Sequence, residues 1–380
     1  NATTPLAPEV LDVHVKALRE VYGNASSIHQ PGQAAKEALE NGRRSVASLI
    51  HANPREVVFL SGGTEANNLA IFGSVRASGE AEPHVITTAI EHPAVLNPCA
   101  QLERNGIAVT YVRVGSSGVV EPDDIRRALR PETVLISVMH VNNELGTIQP
   151  VAEIAYIARE AGAAMHSDGV QAAGRVPVDM AELGVDLYSI SGHKMYAPKG
   201  IGALYVRKGS RLTPMILGGR HEHQRRAGTE NVPAVAAFGA AAAGMQSRRA
   251  EETARLAELR DRLESGVRAQ VEDVRVNGSL QQRSPNATNL CFDGIEGESL
   301  VISLDLKGFA VSTGSACSSG AVEPSHVLTA IGLSKEEARS SVRFSLGLSN
   351  TADQVDRLIE AIAASAAHLR NLSPTYKLHA

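Results

Sequence analysis

The most constraining feature of the sequence is a series of short apolar runs that each end in a cluster of polar residues. The runs are typical of strands, and helical stretches separate most of them; they lie at 56–60, 84–90, 133–143, 163–168 and 186–192. Strands that alternate with helices form mainly parallel sheets. Because ligands of such sheets bind beyond the carboxyl ends of the strands, the polar clusters predict one site along that edge.

The second half of the chain predicts a smaller unit. A composition change near residue 234 begins a long helical segment rich in Ala, Arg and Glu, 234–271, which we interpret as the bridge between two domains. Beyond it, strands at 289–294, 309–315 and 342–347 alternate with helices. The predicted fold class is therefore α/β: a large domain with a mainly parallel, doubly wound seven-stranded sheet, and a smaller α+β domain.

The length of the chain, 380 residues, agrees with this division because it exceeds what one simple core of typical size accommodates. We expect an N-terminal segment at 1–12 that packs with the small domain. The large ligand-binding domain is expected at 13–245. The small C-terminal domain is expected at 246–380, and it includes Cys317.

Composition and charge exclude several classes of function. Hydrophobic residues make up 43% of the chain and the formal net charge is −4, so we expect an ordinary buried core and no direct nucleic-acid binding. No apolar run reaches the roughly 18 residues of a membrane span, and the start, NATTPLAPEV, lacks the pattern of a signal peptide. We therefore expect a cytoplasmic protein without a membrane segment.

Three of the polar clusters contain candidates for binding an anionic cofactor. The stretch 61–65 (SGGTE) opens a helix directly after a strand, and free N–H groups there attract anions, although Ser or Thr with Gly also starts ordinary helices. Asp168 ends a mostly apolar strand, where a carboxylate is either a helix cap or the partner of a buried cation. Lys194 follows the neighbouring strand; it is either solvated or attached covalently to a cofactor.

The cysteines and the remaining charged residues give weaker or different signals. Cys317 lies in a small, polar stretch, TGSACSSG, which favours a reactive thiol, whereas Cys99 and Cys291 lie in predicted helix and strand and are expected to be core residues. Arg343 lies in an apolar strand and requires an anionic partner, from the protein or from a ligand. The two histidines of the polar RHEH loop at 220–223 are expected to be solvated, so we predict no metal site.

Several of these stretches together resemble the NifS/IscS-type cysteine desulfurases, which are pyridoxal 5′-phosphate (PLP) enzymes of the class V aminotransferase, fold type I group. They occur in the same order over almost the whole chain, and their combination is far more specific than any one of them. The stretches are ATTP (2–5), SGGTEANN (61–68), EHPAV (91–95), MHVNNELG (139–146), SDGVQ (167–171), SGHKMYAPKGIGALY (191–205), RRAGTEN (225–231), STGSACSSG (312–320) and SSVRFSLG (340–347).

The resemblance implies a role for each matching residue. Lys194 binds PLP covalently, Asp168 pairs with the pyridine nitrogen, and Gln171 bonds the ring oxygen. His92 stacks on the ring and moves protons. The phosphate is bound by the residues Gly63, Thr64, Ser191, His193 and, from the other subunit of a homodimer, Thr229. Asn143 and Arg343 hold the carboxylate of the substrate, since a guanidinium meets a carboxylate through two hydrogen bonds. Cys317 accepts the sulfur as a persulfide.

The implied function is desulfuration of L-cysteine to L-alanine, with transfer of the persulfide sulfur to an acceptor protein. Iron–sulfur cluster assembly is the expected pathway, and tRNA thiolation or DNA phosphorothioation are alternatives. A selenocysteine lyase or an aminotransferase is a second enzyme hypothesis, and an aminotransferase would not need Cys317. A PLP-free scaffold or sulfur-relay subunit is a third, but the presence of both Lys194 and Asp168 argues against it.

The sequence departs from the pattern of the desulfurases in three places. The start lacks the residues that usually form a first strand, so we expect missing residues there. Ala25 stands where proline is usual. The C-terminal stretch after residue 371 is shorter than the tail with which some members dock an iron–sulfur scaffold.

Overall fold

The computed structural model describes residues 2–314 and 324–372 and groups the chain into two compact units. Unit 1 consists of Asn1–Val112, Glu121–Val141 and Gln149–Arg249. Unit 2 consists of Arg113–Val120, Asn142–Ile148 and Ala250–Ala380. The domain boundaries at residues 12 and 245 stay predictions.

Unit 1 contains the seven-stranded sheet. Its strands are β1 (Val57–Leu60), β2 (His84–Thr88), β3 (Ala108–Val112), β4 (Thr133–Ser137), β5 (Ala164–Asp168), β6 (Leu187–Ser191) and β7 (Gly202–Val206). Their order is β1-β7-β6-β5-β4-β2-β3, and β7 is antiparallel to both of its neighbours, whereas all other pairs are parallel. The prediction of a mainly parallel seven-stranded sheet is confirmed.

Two helices of unit 1 precede its first strand, and the others alternate with the strands. The helices are α1 (Pro8–Glu20), α2 (Gln30–Leu49), α3 (Gly63–Ser78), α4 (Pro93–Arg104), α5 (Pro122–Ala128), α6 (Val151–Glu160) and α7 (Met180–Leu183); α8 (Val232–Gln270) starts in unit 1 and ends in unit 2. Helix α3 ends at Gly79, whose φ of 73° is the left-handed conformation that glycine adopts without penalty. It packs Leu69 and Ala70 against Val58 and Leu204 of the sheet.

The continuous strand predicted at 133–143 is shorter in the structure and ends at Ser137. The side chain of Asn142 accepts hydrogen bonds from the backbone N–H groups of Glu144 and Leu145, both at 2.9 Å. An asparagine that bonds the backbone two and three residues ahead forms a turn in place of a strand. The apolar run alone did not reveal this turn.

Unit 2 contains a three-stranded antiparallel sheet of order β10-β9-β8, covered by helices. Its elements are β8 (Val274–Val276), β9 (Ala287–Phe292), α9 (Gly297–Asp305), α10 (His326–Ala330), α11 (Lys335–Arg339), β10 (Ser341–Ser345) and α12 (Ala352–Leu372). The predicted strand at 309–315 is wrong: within its described part, only Ser312 pairs, through a single bridge with Arg343. Leu263, Phe292 and Ile362 are among the fully buried residues of its core.

Within residues 2–314 and 324–372, no helix combines the length and the apolar character that crossing a membrane requires.

The contact between Gly169 and Tyr188 leads to the first stability prediction. A Cβ atom on Gly169 would lie 2.0 Å from the ring of Tyr188, which is completely buried. We expect Gly169→Ala to destabilise the protein by about 1–3 kcal/mol or more, because overpacking forces shifts in a dense interior. Thermal unfolding compared with Gly115→Ala, where a Cβ meets no atom within 4 Å, measures the effect. Equal thermal unfolding midpoints for the two variants would contradict the predicted overlap with Tyr188.

Candidate active site

The carboxyl ends of several strands of unit 1 lie at one edge of the sheet, and the predicted site residues follow them. Strand β5 ends at Asp168 and its parallel neighbour β6 ends at Ser191. The antiparallel strand β7 begins at this edge, where Gly202 pairs with both Leu60 and Ser191. The end of β1, which precedes the SGGTE stretch, therefore lies at the same edge.

Asp168 is a buried acidic group at this edge, with 6% of its surface exposed. One carboxylate oxygen accepts a hydrogen bond from Asn67 Nδ2 at 2.7 Å, and the other accepts one from the backbone N–H of Val170 at 2.9 Å. Neither neighbour carries a charge. A buried carboxylate with two neutral donors is suited to hold a cation against its remaining lone pairs.

Gly63, at the start of α3, and Ser191 form a narrow cradle. A Cβ atom on Gly63 would lie 2.7 Å from Val170 Cγ2 and 3.5 Å from Ser191 Cβ, so only glycine fits. Ser191 Oγ is buried and, among the described residues, has no hydrogen-bond partner. A hydroxyl group without a partner beside the N-terminus of a helix of 16 residues is the pattern of an anion site.

Lys194 ends a short 3-10 helix, Gly192–Lys194, that follows β6. The guanidinium of Arg175 donates to the carbonyl oxygen of Lys194 at 3.0 Å and also to the side chain of Gln171. The ammonium group of Lys194 donates to the carbonyl oxygen of Ala2. Arg175 thus links Lys194 and Gln171, two of the predicted cofactor ligands.

The N-terminal residues lie against the Lys194 loop. The backbone N–H and the hydroxyl group of Thr4 both donate to the carbonyl oxygen of His193 at 3.0 Å, and Ala7 N–H donates to Tyr196 O at 3.2 Å. Residues 2–7 are therefore anchored to unit 1. Packing of 1–12 with the small domain stays a prediction.

His193 is half-buried beside three cations. Burial, together with the charges of Lys194, Lys199 and Arg175, lowers the pKa of His193 to about 4. The imidazole is therefore neutral near pH 7. A role at the phosphate, as the resemblance implies, is that of a neutral hydrogen-bond donor and not of a cation.

His92 is half-buried and caps α4, since its Nδ1 accepts a hydrogen bond from Ala94 N–H at 3.0 Å. The preceding residue, Glu91, is completely buried and accepts hydrogen bonds from the hydroxyl of Thr88 at 2.8 Å and from Met139 N–H at 2.9 Å. Glu91 thereby fixes the turn that carries His92 to the residues just after β4.

The burial of Glu91 leads to a prediction about pH. Burial raises its pKa to about 8; the hydrogen bonds from Met139 and Thr88 oppose the rise, and the charge of Asp168 adds to it. The folded state keeps a proton that the unfolded state loses above the ordinary pKa of 4.5. Stability therefore falls as pH rises through this window, by about 3 kcal/mol between roughly pH 5 and pH 8.

The variant Glu91→Gln should lack this decrease, because glutamine does not titrate. Urea unfolding of wild type and variant at both pH values measures it. We expect the variant to gain stability relative to wild type at the higher pH. A constant difference between the two proteins would contradict a raised pKa at Glu91.

Two predicted phosphate ligands are exposed. Thr64 lies in the first turn of α3. Thr229 lines a cavity of about 260 Å³ in unit 1, together with Ser61, Gly200 and Arg226. The loop that contains Thr229 and the turn between β1 and α3 therefore line the same cavity.

The two predicted substrate residues lie together in unit 2. Arg343, on β10 and 6% exposed, donates from Nη1 to the backbone carbonyl oxygen of Asn143 at 2.7 Å. Glu144 is completely buried and accepts from Ser325 Oγ at 2.5 Å. Burial raises the pKa of Glu144, and Ser325, His326 and Arg343 oppose the rise.

The cysteines divide as the sequence predicted, as far as the structure describes them. Cys99 in α4 and Cys291 in β9 are free and buried. Burial raises the pKa of the Cys99 thiol to about 12 and that of Cys291 above its ordinary value, so neither is a ready nucleophile. Cys317 lies outside the described residues.

Sequence reasoning missed two residues that hold the site together, Asn67 and Arg175. Asn67 follows Gly63 by four residues on α3, so helical spacing places both on one face. Arg175 follows Gln171 by four residues, although only a short turn connects them. In both cases the spacing was present in the sequence, but it gained meaning only after Asp168 and Lys194 were located.

The arrangement in unit 1 fits PLP. The cradle formed by Gly63 and Ser191 suits a phosphate, and the Asp168 carboxylate suits a protonated pyridine nitrogen. Lys194 follows the end of β6, the strand next to the one that ends at Asp168, and an amine there could hold the aldehyde of the cofactor.

Comparisons with known proteins agree with this arrangement. The family described as Aminotransferase class-V matches residues 1–358. A cysteine desulfurase IscS from Dictyoglomus turgidum is 47% identical over 373 residues, which cover 98% of this chain and 95% of that protein.

Two solved structures have the same fold over nearly the full length. A NifS-like protein has a TM-score of 0.91 at 33% identity, covering 97% of this chain and 98% of that one. SspA in complex with cysteine has a TM-score of 0.80 at 36% identity, covering 91% and 96%. The chain therefore belongs to the class-V aminotransferase family and, within it, to the cysteine desulfurases.

Proposed function

We propose that this protein uses PLP to convert L-cysteine to L-alanine and passes the sulfur to Cys317 as a persulfide. The proposal rests on one observation. The buried carboxylate of Asp168 lies at the end of β5, and Lys194 follows the end of β6, the adjacent parallel strand. The relative from Dictyoglomus turgidum, a cysteine desulfurase, supports the choice of reaction.

The residues of unit 1 would hold the cofactor and move protons. PLP, when bound, withdraws electrons from the carbon skeleton of an amino acid. Asp168 retains a proton on the pyridine nitrogen, and Lys194 Nζ transfers the proton of the substrate Cα. His92, Gln171 and Ser191 bind the ring, its oxygen and the phosphate, respectively. Gly63, Thr64, His193 and, from the other subunit, Thr229 complete the phosphate site.

The substrate carboxylate would be bound by Asn143 and Arg343. Arg343 donates a hydrogen bond from one guanidinium nitrogen to the Asn143 carbonyl oxygen. This bond fixes the orientation of the planar guanidinium before the substrate binds. SspA, which is 36% identical to this chain, was solved in complex with cysteine, and this supports L-cysteine as the substrate.

The sulfur step would use the thiolate of Cys317. Its Sγ attacks the substrate sulfur, so an S–S bond forms while the Cβ–S bond breaks. The carbon fragment keeps the electron pair of the broken bond and leaves as alanine after protonation. An external thiol, or an acceptor protein, then removes the terminal sulfur of the persulfide.

We further propose a cytoplasmic homodimer whose persulfide serves a sulfur-acceptor protein, a scaffold for iron–sulfur cluster assembly in the first instance. Several relatives with the name IscS match the chain over 98% or more of its length, which supports this choice. Thiolation of tRNA, phosphorothioation of DNA and selenocysteine cleavage are the alternative functions.

The test is a paired assay of alanine and sulfide from L-cysteine in the presence of a reducing thiol. We expect equal amounts of the two products. Parallel reactions with L-selenocysteine, and with L-alanine plus a 2-oxo acid, separate the desulfurase from a lyase and from an aminotransferase. Amino transfer without sulfide would contradict the proposal.

A further inference from the structure

A buried ion pair between Arg43 and Glu222 includes none of the residues assigned to the reaction. The two guanidinium nitrogens Nη1 and Nη2 of Arg43 each lie 2.7 Å from a carboxylate oxygen of Glu222, in a two-fold hydrogen-bonded arrangement. The residues are only 3% and 6% exposed. Such geometry in a dry environment is both strong and highly directional.

The pair joins three segments of unit 1 that are distant in sequence. Arg43, on α2, also donates to the Val57 carbonyl oxygen at 2.8 Å and stacks 4.8 Å from the ring centre of Phe59 on β1. Glu222 also accepts from the backbone N–H of Phe59 at 2.7 Å. Glu40 is the only other charged group that contacts Arg43 among the described residues, at 3.2 Å.

The backbone around Glu222 has an uncommon conformation. Glu222, His223 and Gln224 all have positive φ values, of 45°, 56° and 65°. Residues other than glycine rarely adopt this region, and they persist there only where surrounding contacts enforce it. The bonds from Arg43 and Phe59 to Glu222 are contacts of this kind.

The loop that follows Glu222 has a second attachment within the same unit. Arg226 Nε contacts Glu65 Oε1 at 3.0 Å, and Glu65 Oε2 accepts from Ser61 N–H at 2.7 Å, so the loop is also fixed to the β1–α3 turn. Glu222, Thr229 and Ser61 line the same cavity of about 260 Å³. Glu222 and Thr229 therefore belong to one loop with two attachment points, the ion pair with Arg43 and the contact of Arg226 with Glu65.

We propose that Arg43 and Glu222 are positioning residues that hold the loop 220–231 in the shape in which Thr229 can bind the phosphate of the PLP held by the other subunit of the proposed homodimer. This inference rests on the proposed function for the cofactor and the homodimer, not for the substrate. A buried ion pair stabilises a fold little more than apolar residues of the same volume would. A role in fixing one loop conformation explains why a charged pair occupies this position.

The test measures the rate at which PLP is lost from the holoenzyme on dilution, followed by the visible absorbance of the protein-bound cofactor. We expect Glu222→Gln, Arg43→Lys and Thr229→Ala each to accelerate the loss about tenfold, since each weakens the same phosphate contact. The double variant Glu222→Gln/Thr229→Ala should lose PLP no faster than the faster single variant, because coupled residues are not additive.

Glu160→Gln is the matched control. It removes an ion pair with Arg126 in the same unit, but there both partners are about half exposed, and PLP loss should stay at the wild-type rate. Arg43→Lys keeps the buried charge and serves as the test if Glu222→Gln does not fold.

Two results would overturn the inference. In one, Arg43→Lys lowers the unfolding midpoint but leaves the rate of PLP loss unchanged, which is the behaviour of a purely structural pair. In the other, the effects of Glu222→Gln and Thr229→Ala simply multiply. Neither readout depends on desulfuration, so an absence of alanine production would reject the proposed reaction and leave this test intact.

Discussion

Replacement of Cys317 by alanine is expected to lower sulfide release from L-cysteine by about 100-fold or more while PLP stays bound. The proposed reaction ends in a sulfur–sulfur bond on this thiol, and the two other cysteines are buried with raised pKa values. Sulfide and alanine production, measured together with the visible spectrum of the bound cofactor, report the two effects separately.

The matched control for this variant is Cys291→Ala, which removes a buried thiol of unit 2. It should retain near wild-type sulfide release, with a small loss of stability. Normal sulfide release by the Cys317 variant, or a loss of the bound cofactor in it, would contradict the role that we propose for Cys317.

Replacement of Lys194 by alanine is expected to abolish turnover, with a loss of about 1000-fold or more, because one amine both holds the cofactor and moves the Cα proton. The variant should also lose the visible absorbance of covalently held PLP. Its fold should survive, since the backbone of Lys194 keeps its hydrogen bond to Arg175.

Lys199→Ala provides the control within the same loop. Lys199 is exposed, and its removal subtracts the same charge from the neighbourhood of His193 without touching a proposed cofactor ligand. Activity should stay close to wild type. Similar losses in both lysine variants would point to an effect of charge alone and contradict a specific role for Lys194.

Much of the large sheet could be predicted because its strands are buried on both faces and read as apolar runs. The antiparallel direction of β7 could not be predicted, because the direction of a strand depends on the path of the chain and not on its side-chain pattern. The strand expected at 309–315 failed for a different reason. Phe309 and Val311 are residue types typical of strands, but within the described part, 309–314, only Ser312 pairs with another segment.

Some residues of the site could likewise be predicted from the sequence, and others could not. Asp168, Ser191 and Lys194 were recognisable because each lies at or just after the end of a strand, at the edge where ligands of parallel sheets bind. The contact between Arg43 and Glu222 was not, because 179 residues separate them and no periodicity relates them. Long-range polar pairs of this kind are specified by the completed fold and leave no local pattern.

A persulfide on Cys317 can be detected by peptide mass spectrometry of the holoenzyme after incubation with L-cysteine, without a reducing thiol and with rapid alkylation. We expect one additional sulfur atom on the peptide that contains Cys317, together with release of alanine, and none on the peptides of Cys99 and Cys291. Alanine formation with an unmodified Cys317 peptide would contradict the proposed sulfur transfer to Cys317.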